Sequence, residues 1–418
     1  MAKSAAVSRQ PISKVLAGYS KSEYQTMFDN YSYTTALIGG DVSLFANTRM
    51  SLFFDTAIVP SRKESNPLPS ELNPAIGTIV AQTSYGKMPL DDYVSGPDSF
   101  VQGFIVAHKG KVVYERYPGM RPNDSHVWMS SAKPITALAV ELLIDEGKID
   151  QNQTYGDYLA DFRGTAWEYI KIKDILNMGS GLNIVENDVT RNDPTSLMSR
   201  LLRSTMGAPD PVTNKVESTR TIMKLAVKEV DPGLRFDYSS MLTLSLVMLV
   251  EEVSQKRFSD FVDDRIFSHM ALAGDMQFHL SHADQLELGN GFVSSCLRNF
   301  MLFGMLYTPS WKKIADQQIV SDAALQRIRR DLPSHEYYMG GYDGPNFMAA
   351  LGDYVISNNR QWDNIFPDGD MFKLGFNGQG VYVSPDRDLV IAYCSTNPDE
   401  APTQAYMRPI AKSGLFDQ

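Results

Sequence analysis

Two pairs of short strands, one at residues 101–117 and the other at 380–395, bracket a long helical middle, and any fold for this chain has to bring them together. Residues 101–106 and 111–117 read as strands joined by His108-Lys109-Gly110, a hairpin signal. Residues 380–385 and 388–395 (DLVIAYCS) are β-branched and aromatic, with Pro385-Asp386-Arg387-Asp388 as the turn between them. Strands at both ends with helices between predict one sheet completed by the two ends, with a helical lobe inserted.

The middle is legible as helices. Residues 134–147 (PITALAVELLIDEG) are apolar on most faces and end on Gly147, which predicts a buried helix with a glycine stop. Residues 168–178 and 218–230 have helical periodicity, and the polar stretch 183–217 between them is expected to loop over a pocket. Residues 241–253, 258–269 and 291–307 read as three further helices, and 401–418 as a closing one. Residues 1–75 have no long periodic segment and are punctuated by Pro60, Pro67, Pro69 and Pro74. The expected organisation is an irregular N-terminal extension (1–75) packed on the main domain, an α/β lobe (76–125 with 335–418) and a helical lobe (126–334).

Composition excludes several function classes. With 43% hydrophobic and 21% charged residues over 418 positions, the chain is globular, not disordered or low in complexity. Lys and Arg number 39 against 49 Asp and Glu, and the net charge of −10 argues against nucleic acid or an anionic membrane as partner. No apolar run approaches the roughly 18 residues of a membrane span. The N-terminal residues lack the apolar core of a secretory signal, so a cytoplasmic location is expected. Cys296 and Cys394 alone give no disulfide framework. The histidines are scattered apart from His279 and His282, so no metal site is expected.

The candidate chemistry begins at Met129-Ser130-Ser131-Ala132-Lys133, which opens the buried helix. Ser130 and Lys133 are one helical turn apart and share a face. A serine hydroxyl is a weak nucleophile until a base takes its proton. A lysine in a dry site can be that base, because burial disfavours its ammonium form. Ser-x-x-Lys also occurs at Ser84/Lys87 and Ser310/Lys313, but only the middle copy enters a buried helix. Further on, Pro232-Gly233-Leu234-Arg235-Phe236-Asp237-Tyr238-Ser239-Ser240 is a turn leading through Tyr-x-Ser into a helix, and Gly375-Phe376-Asn377-Gly378-Gln379-Gly380 precedes a strand. Trp128, two residues before Ser130, reads either as part of a pocket wall or as simple packing, and the paired Asp263-Asp264 and the many methionines carry no more than solvated-face and packing readings.

In their order and surroundings these segments resemble the class C type of serine β-lactamase-related hydrolases, a group that includes family VIII carboxylesterases, D-stereospecific peptidases and 6-aminohexanoate-dimer hydrolases. The resemblance spans about Gln102 to Asn397 and also takes in Gly147-Lys148-Ile149-Asp150, residues 172–182 (IKDILNMGSGL), 289–293 and 383–390. It implies an α+β fold, serine β-lactamase or penicillin-binding transpeptidase-like, with an antiparallel sheet flanked by helices. By position, Ser130 matches the acylated nucleophile, Lys133 its proton-transfer partner and Tyr238 the tyrosine of the second motif. The backbone N–H groups of Ser130 and Phe376 match the oxyanion hole. Ser240, Gly375, Asn377 and Gln379 fall at substrate-contacting positions. No metal or organic cofactor is implied, and related enzymes are often homodimers.

Two departures shape the functional expectation. The second motif is usually Tyr-x-Asn, and Ser240 here lacks the amide. The third is usually Lys-Thr-Gly, and Lys373 is read as lying before the glycine in the wrong register, which removes the cation expected to hold a penicillin carboxylate. The expected activity is hydrolysis of a carboxylic ester or small amide through an acyl-Ser130 intermediate. Acyl transfer by the same residues, β-lactamase or D-amino-acid peptidase activity, and a catalytically silent ligand binder are the alternatives.

Overall fold

Seven strands form the central sheet of the computed structural model: β1 (Val101–His108), β2 (Lys111–Arg116), β3 (Ser357–Asn359), β4 (Trp362–Ile365), β5 (Met371–Gly375), β6 (Gln379–Ser384) and β7 (Leu389–Ser395). The structure describes residues 9–32, 34–64, 68–97, 99–398 and 401–417. The sheet order is β2-β1-β7-β6-β5-β4-β3, antiparallel throughout, so the C-terminal hairpin slots beside β1 and joins the two ends of the chain. The β1–β2 turn has positive φ at both Lys109 (49°) and Gly110 (72°), the geometry that matches strand twist in a two-residue hairpin loop. Every residue of β7 is buried, which explains why its sequence shows no polar alternation.

Helix α1 (Lys133–Asp145) buries ten of its residues and packs against α2 (Ser240–Ser254), forming the heart of the helical lobe. Helix α3 (Leu297–Met305), though inside the segment assigned to that lobe, lies on the sheet. Gly304 lets it approach: a Cβ there would sit 2.7 Å from Val390 Cγ1. A strand at Val293–Ser295 precedes α3 where a continuous helix from 291 was expected. It belongs to a second, four-stranded sheet with Thr56–Val59, Met276–His279 and His126–Val127.

The N-terminal segment is more regular than its sequence promised. It carries short helices at Lys14–Ala17, Lys21–Asp29 and Asp41–Ala46, and the strand Thr56–Val59 pairs with Met276–His279. Local capping, not periodicity, defines the second helix: Ser20 and Glu23 form a reciprocal capping box. Residues 1–8 and Pro67 lie outside the described residues. The expected closing helix is two short ones, Ala401–Gln404 and Met407–Ala411. Among the described residues no helix is long and apolar enough to cross a membrane.

Candidate active site

The chain reaches Ser130 from the small sheet. Trp128 N–H donates to Val293 O at 2.8 Å, and its buried indole stacks on Phe300 at 4.3 Å, so Trp128 packs the core instead of walling the site. Met129 then takes a left-handed conformation (φ 47°), a strained turn for a non-glycine residue, and throws Ser130 onto the tight turn Met129–Ala132 that leads into α1. Lys133 at the start of α1 is fully buried. Its Nζ lies 3.0 Å from Ser130 Oγ, 3.1 Å from Ser240 Oγ and 2.6 Å from Asn290 O. Burial, reinforced by the charge of Lys373 and only partly offset by Glu186 and Asp363, lowers the Lys133 pKa to about 7.

Tyr238 enters just ahead of α2, and two carboxyl groups from separate parts of the chain hold its backbone. Asp343, at the start of α4 (Asp343–Leu351), accepts the Tyr238 N–H at 3.1 Å. Glu186 accepts the Ser240 N–H at 3.0 Å and donates its own N–H to Tyr238 O at 2.8 Å. Burial alone would raise the Glu186 pKa, but Arg191, Lys133 and the Ser240 donors outweigh it and hold it below the usual carboxylate value. Behind the tyrosine ring, Lys373 Nζ sits 3.2 Å from Tyr238 Oη and 2.7 Å from both oxygens of the buried Asp363.

Lys373 therefore corrects the sequence reading. It stands two residues before Gly375, the spacing of lysine and glycine in Lys-Thr-Gly, so Lys373-Leu374-Gly375 is in register. The strand carries its ammonium to the tyrosine, where Asp363 and the Leu374 carbonyl (3.2 Å) engage it.

Ser130, Tyr238, Ser240 and Phe376 all border one cavity of about 90 Å³, together with Asn290 and Asp343. Neither the Ser130 nor the Phe376 N–H donates a hydrogen bond among the described residues. Gly375 lies at the join: a Cβ there would stand 2.7 Å from Trp128 O and 3.0 Å from Ser131 N, so glycine alone lets the end of β5 close on the serine turn.

Asn377 and Gln379 are not brought to the cavity, which corrects their expected contact with substrate. Gln379 Nε2 donates to Ser395 O at 2.7 Å and its Oε1 accepts from Ser395 N at 3.0 Å. Asn377 Nδ2 donates to Leu37 O at 3.1 Å. Both amides are buried and satisfy backbone around a tight turn.

Sequence reasoning missed Glu186, Arg191, Asn290 and Asp343, all of which border the cavity. Arg191 bridges the mouth, 3.5 Å from Glu186 and with its guanidinium 5.2 Å from the Phe376 ring centroid. Asn290 falls within the 289–293 segment already singled out, and Glu186 and Arg191 within the stretch expected over a pocket. Asp343 had no signal, since only the fold brings α4 to Tyr238.

A two-lobed α+β molecule with a buried Ser-x-x-Lys turn, a facing tyrosine and a Lys-x-Gly strand has the β-lactamase and penicillin-binding protein architecture. The chain belongs to the Beta-lactamase family, whose model matches residues 101–415. It is 25% identical over 315 residues to the 6-aminohexanoate-dimer hydrolase of Paenarthrobacter ureafaciens, covering 72% of this chain and 74% of that one. Its fold is similar to that of a Bacillus anthracis protein assigned as a 6-aminohexanoate-dimer hydrolase, with TM-score 0.74 and 20% identity over 90% of this chain and 96% of that chain. It is also similar to EstCE1, a hydrolase with promiscuous acyltransferase activity (TM-score 0.55, 14% identity, 74% and 93% covered).

Proposed function

We propose that the protein is a serine hydrolase that cleaves a carboxylic ester or small amide through an acyl-Ser130 intermediate. The observation that carries this reading is the 3.0 Å contact between Ser130 Oγ and a lysine whose pKa lies near 7. Neutral Lys133 takes the hydroxyl proton as Oγ attacks the carbonyl carbon, and the Ser130 and Phe376 N–H groups receive the oxyanion. Tyr238, steadied by the Lys373 ammonium at its oxygen, passes a proton to the departing alcohol or amine. Water then attacks the acyl carbon and gives a proton to the Tyr238 phenolate, and Ser130 regains its own proton from Lys133 as the acid leaves. Among the described residues no lysine borders the cavity, Lys373 being engaged by Asp363, and the cation that does border it, Arg191, faces Glu186 and Asp188, so neither is placed to hold a β-lactam carboxylate, which favours simple esters and amides as substrates.

The test is hydrolysis of p-nitrophenyl butyrate, butyryl anilide and nitrocefin between pH 5.5 and 9. Protonation of Lys133 removes the base, so kcat/KM for the ester should fall tenfold per pH unit well below about 7 and level off above it. Nitrocefin should be turned over poorly. A profile flat through pH 7, or nitrocefin as the best substrate, contradicts the reading.

Gly375→Ala tests the placement of the oxyanion donors. Its methyl group meets main-chain atoms that cannot swing aside, so the end of β5 must move off the serine turn. A loss of about 10–100-fold in kcat is expected with KM little changed. Unaltered kcat would mean that the β5 end does not serve the reaction.

A further inference from the structure

One wall of the cavity comes from outside the segment that the family model matches. Leu37 borders the cavity, and it belongs to the N-terminal segment, ahead of residue 101. The turn that carries it is pinned from several directions. Ser43, fully buried, donates from Oγ to Thr35 O at 2.9 Å and accepts the Gly39 N–H at 3.0 Å. Gly39, with φ 73°, is seated so closely that a Cβ would stand 2.7 Å from the Pro398 nitrogen. Leu37 O accepts from Asn377 Nδ2 at 3.1 Å, so Asn377, which does not reach the cavity, holds in place a residue that does. Tyr31 Oη donates to Met206 Sδ at 3.2 Å and ties the same segment to the 183–217 stretch.

Strand β5 gives this wall a direction. Lys373 brings its ammonium to Tyr238, the strand ends on Gly375, and the oxyanion donor Phe376 and then Asn377 follow. Tyr238 serves the departing alcohol or amine, so the leaving group lies toward Lys373. Leu37, held by Asn377, stands past Phe376 from the tyrosine, on the side where the acyl chain must run. We propose that Leu37 is a specificity-determining residue that closes the acyl end of the cavity and restricts the enzyme to short acyl chains. A cavity of about 90 Å³ is small beside the roughly 300–1,000 Å³ of ordinary ligand pockets. A longer chain has to displace a turn bonded to the end of the sheet, and overpacking against a wall that cannot relax is costly. The assignment rests on the acyl-Ser130 reading and specifies its acyl group.

The test is kcat/KM for p-nitrophenyl acetate, butyrate and octanoate with wild type, Leu37→Ala and Leu37→Phe. Leu37 is half-buried on a turn, so both variants should fold, and their acetate activity reports that they do. Wild type should favour butyrate over octanoate by about tenfold or more. Leu37→Ala should raise the octanoate value about tenfold and leave acetate within about twofold, whereas Leu37→Phe should lower butyrate about tenfold relative to acetate. Unchanged ratios in both variants, a uniform loss across the three esters, a wild type that takes octanoate as readily as butyrate, or one that hydrolyses none of them overturns the proposal. Activity lost in Ser130→Ala with ratios indifferent to Leu37 would sink the Leu37 assignment alone. Ratios that shift as expected while turnover survives in Ser130→Ala would sink the acyl-Ser130 reading alone.

Discussion

Ser130→Ala should lower kcat/KM for p-nitrophenyl butyrate by about 10⁴-fold or more while leaving the fold unchanged. The change removes one hydroxyl whose side-chain partner is Lys133, and Lys133 keeps its contacts to Ser240 and Asn290. Ser130 is partly exposed at the cavity, so no buried void opens in the core. The unfolding free energy should stay within about 0.5 kcal/mol of wild type. Loss of activity at preserved stability separates the chemical role from packing. If the variant retained turnover within tenfold, the attacking group would have to lie elsewhere.

Lys373→Met is expected to produce the largest loss of stability, about 3–5 kcal/mol by urea unfolding at pH 8. Asp363 is 1% exposed, and the ammonium of Lys373 is the charge that balances it. Without that charge, burial dominates and the carboxyl, already raised by burial against the pull of Lys373, rises further. A folded-state pKa above the unfolded one means that stability is greatest at low pH and is lost as pH rises. The penalty should therefore be smaller at pH 5 than at pH 8. Lys373→Met with Asp363→Leu removes both charges and should recover most of the stability, yet not the activity, because Tyr238 still lacks its ammonium. A single variant as stable as wild type at both pH values would show that the pair contributes nothing to the fold.

The architecture was legible where local signals and tertiary structure agree. The Lys109-Gly110 turn, the β6–β7 hairpin and the apolar α1 each declare themselves through turn chemistry or periodicity. The Ser130–Lys133 pair was legible because its one-turn spacing coincides with the entry to a buried helix, a context that the copies at Ser84/Lys87 and Ser310/Lys313 lack. Asp343 and Glu186 were not, since each meets Tyr238 or Ser240 only after three distant segments converge. Asn377 and Gln379 misled for the opposite reason: a glycine-rich turn near a catalytic strand resembles a binding loop, although here its amides stitch backbone together. Lys373 was visible but misread, and it took the strand geometry to show its ammonium at Tyr238.

The most direct test of the acyl-Ser130 account is intact-mass and peptide analysis of protein quenched during turnover of p-nitrophenyl butyrate. The account predicts one added butyryl group, on the peptide containing Ser130, absent from Ser130→Ala. Steady hydrolysis with no adduct on Ser130, or an adduct on another residue that persists in the variant, would contradict it.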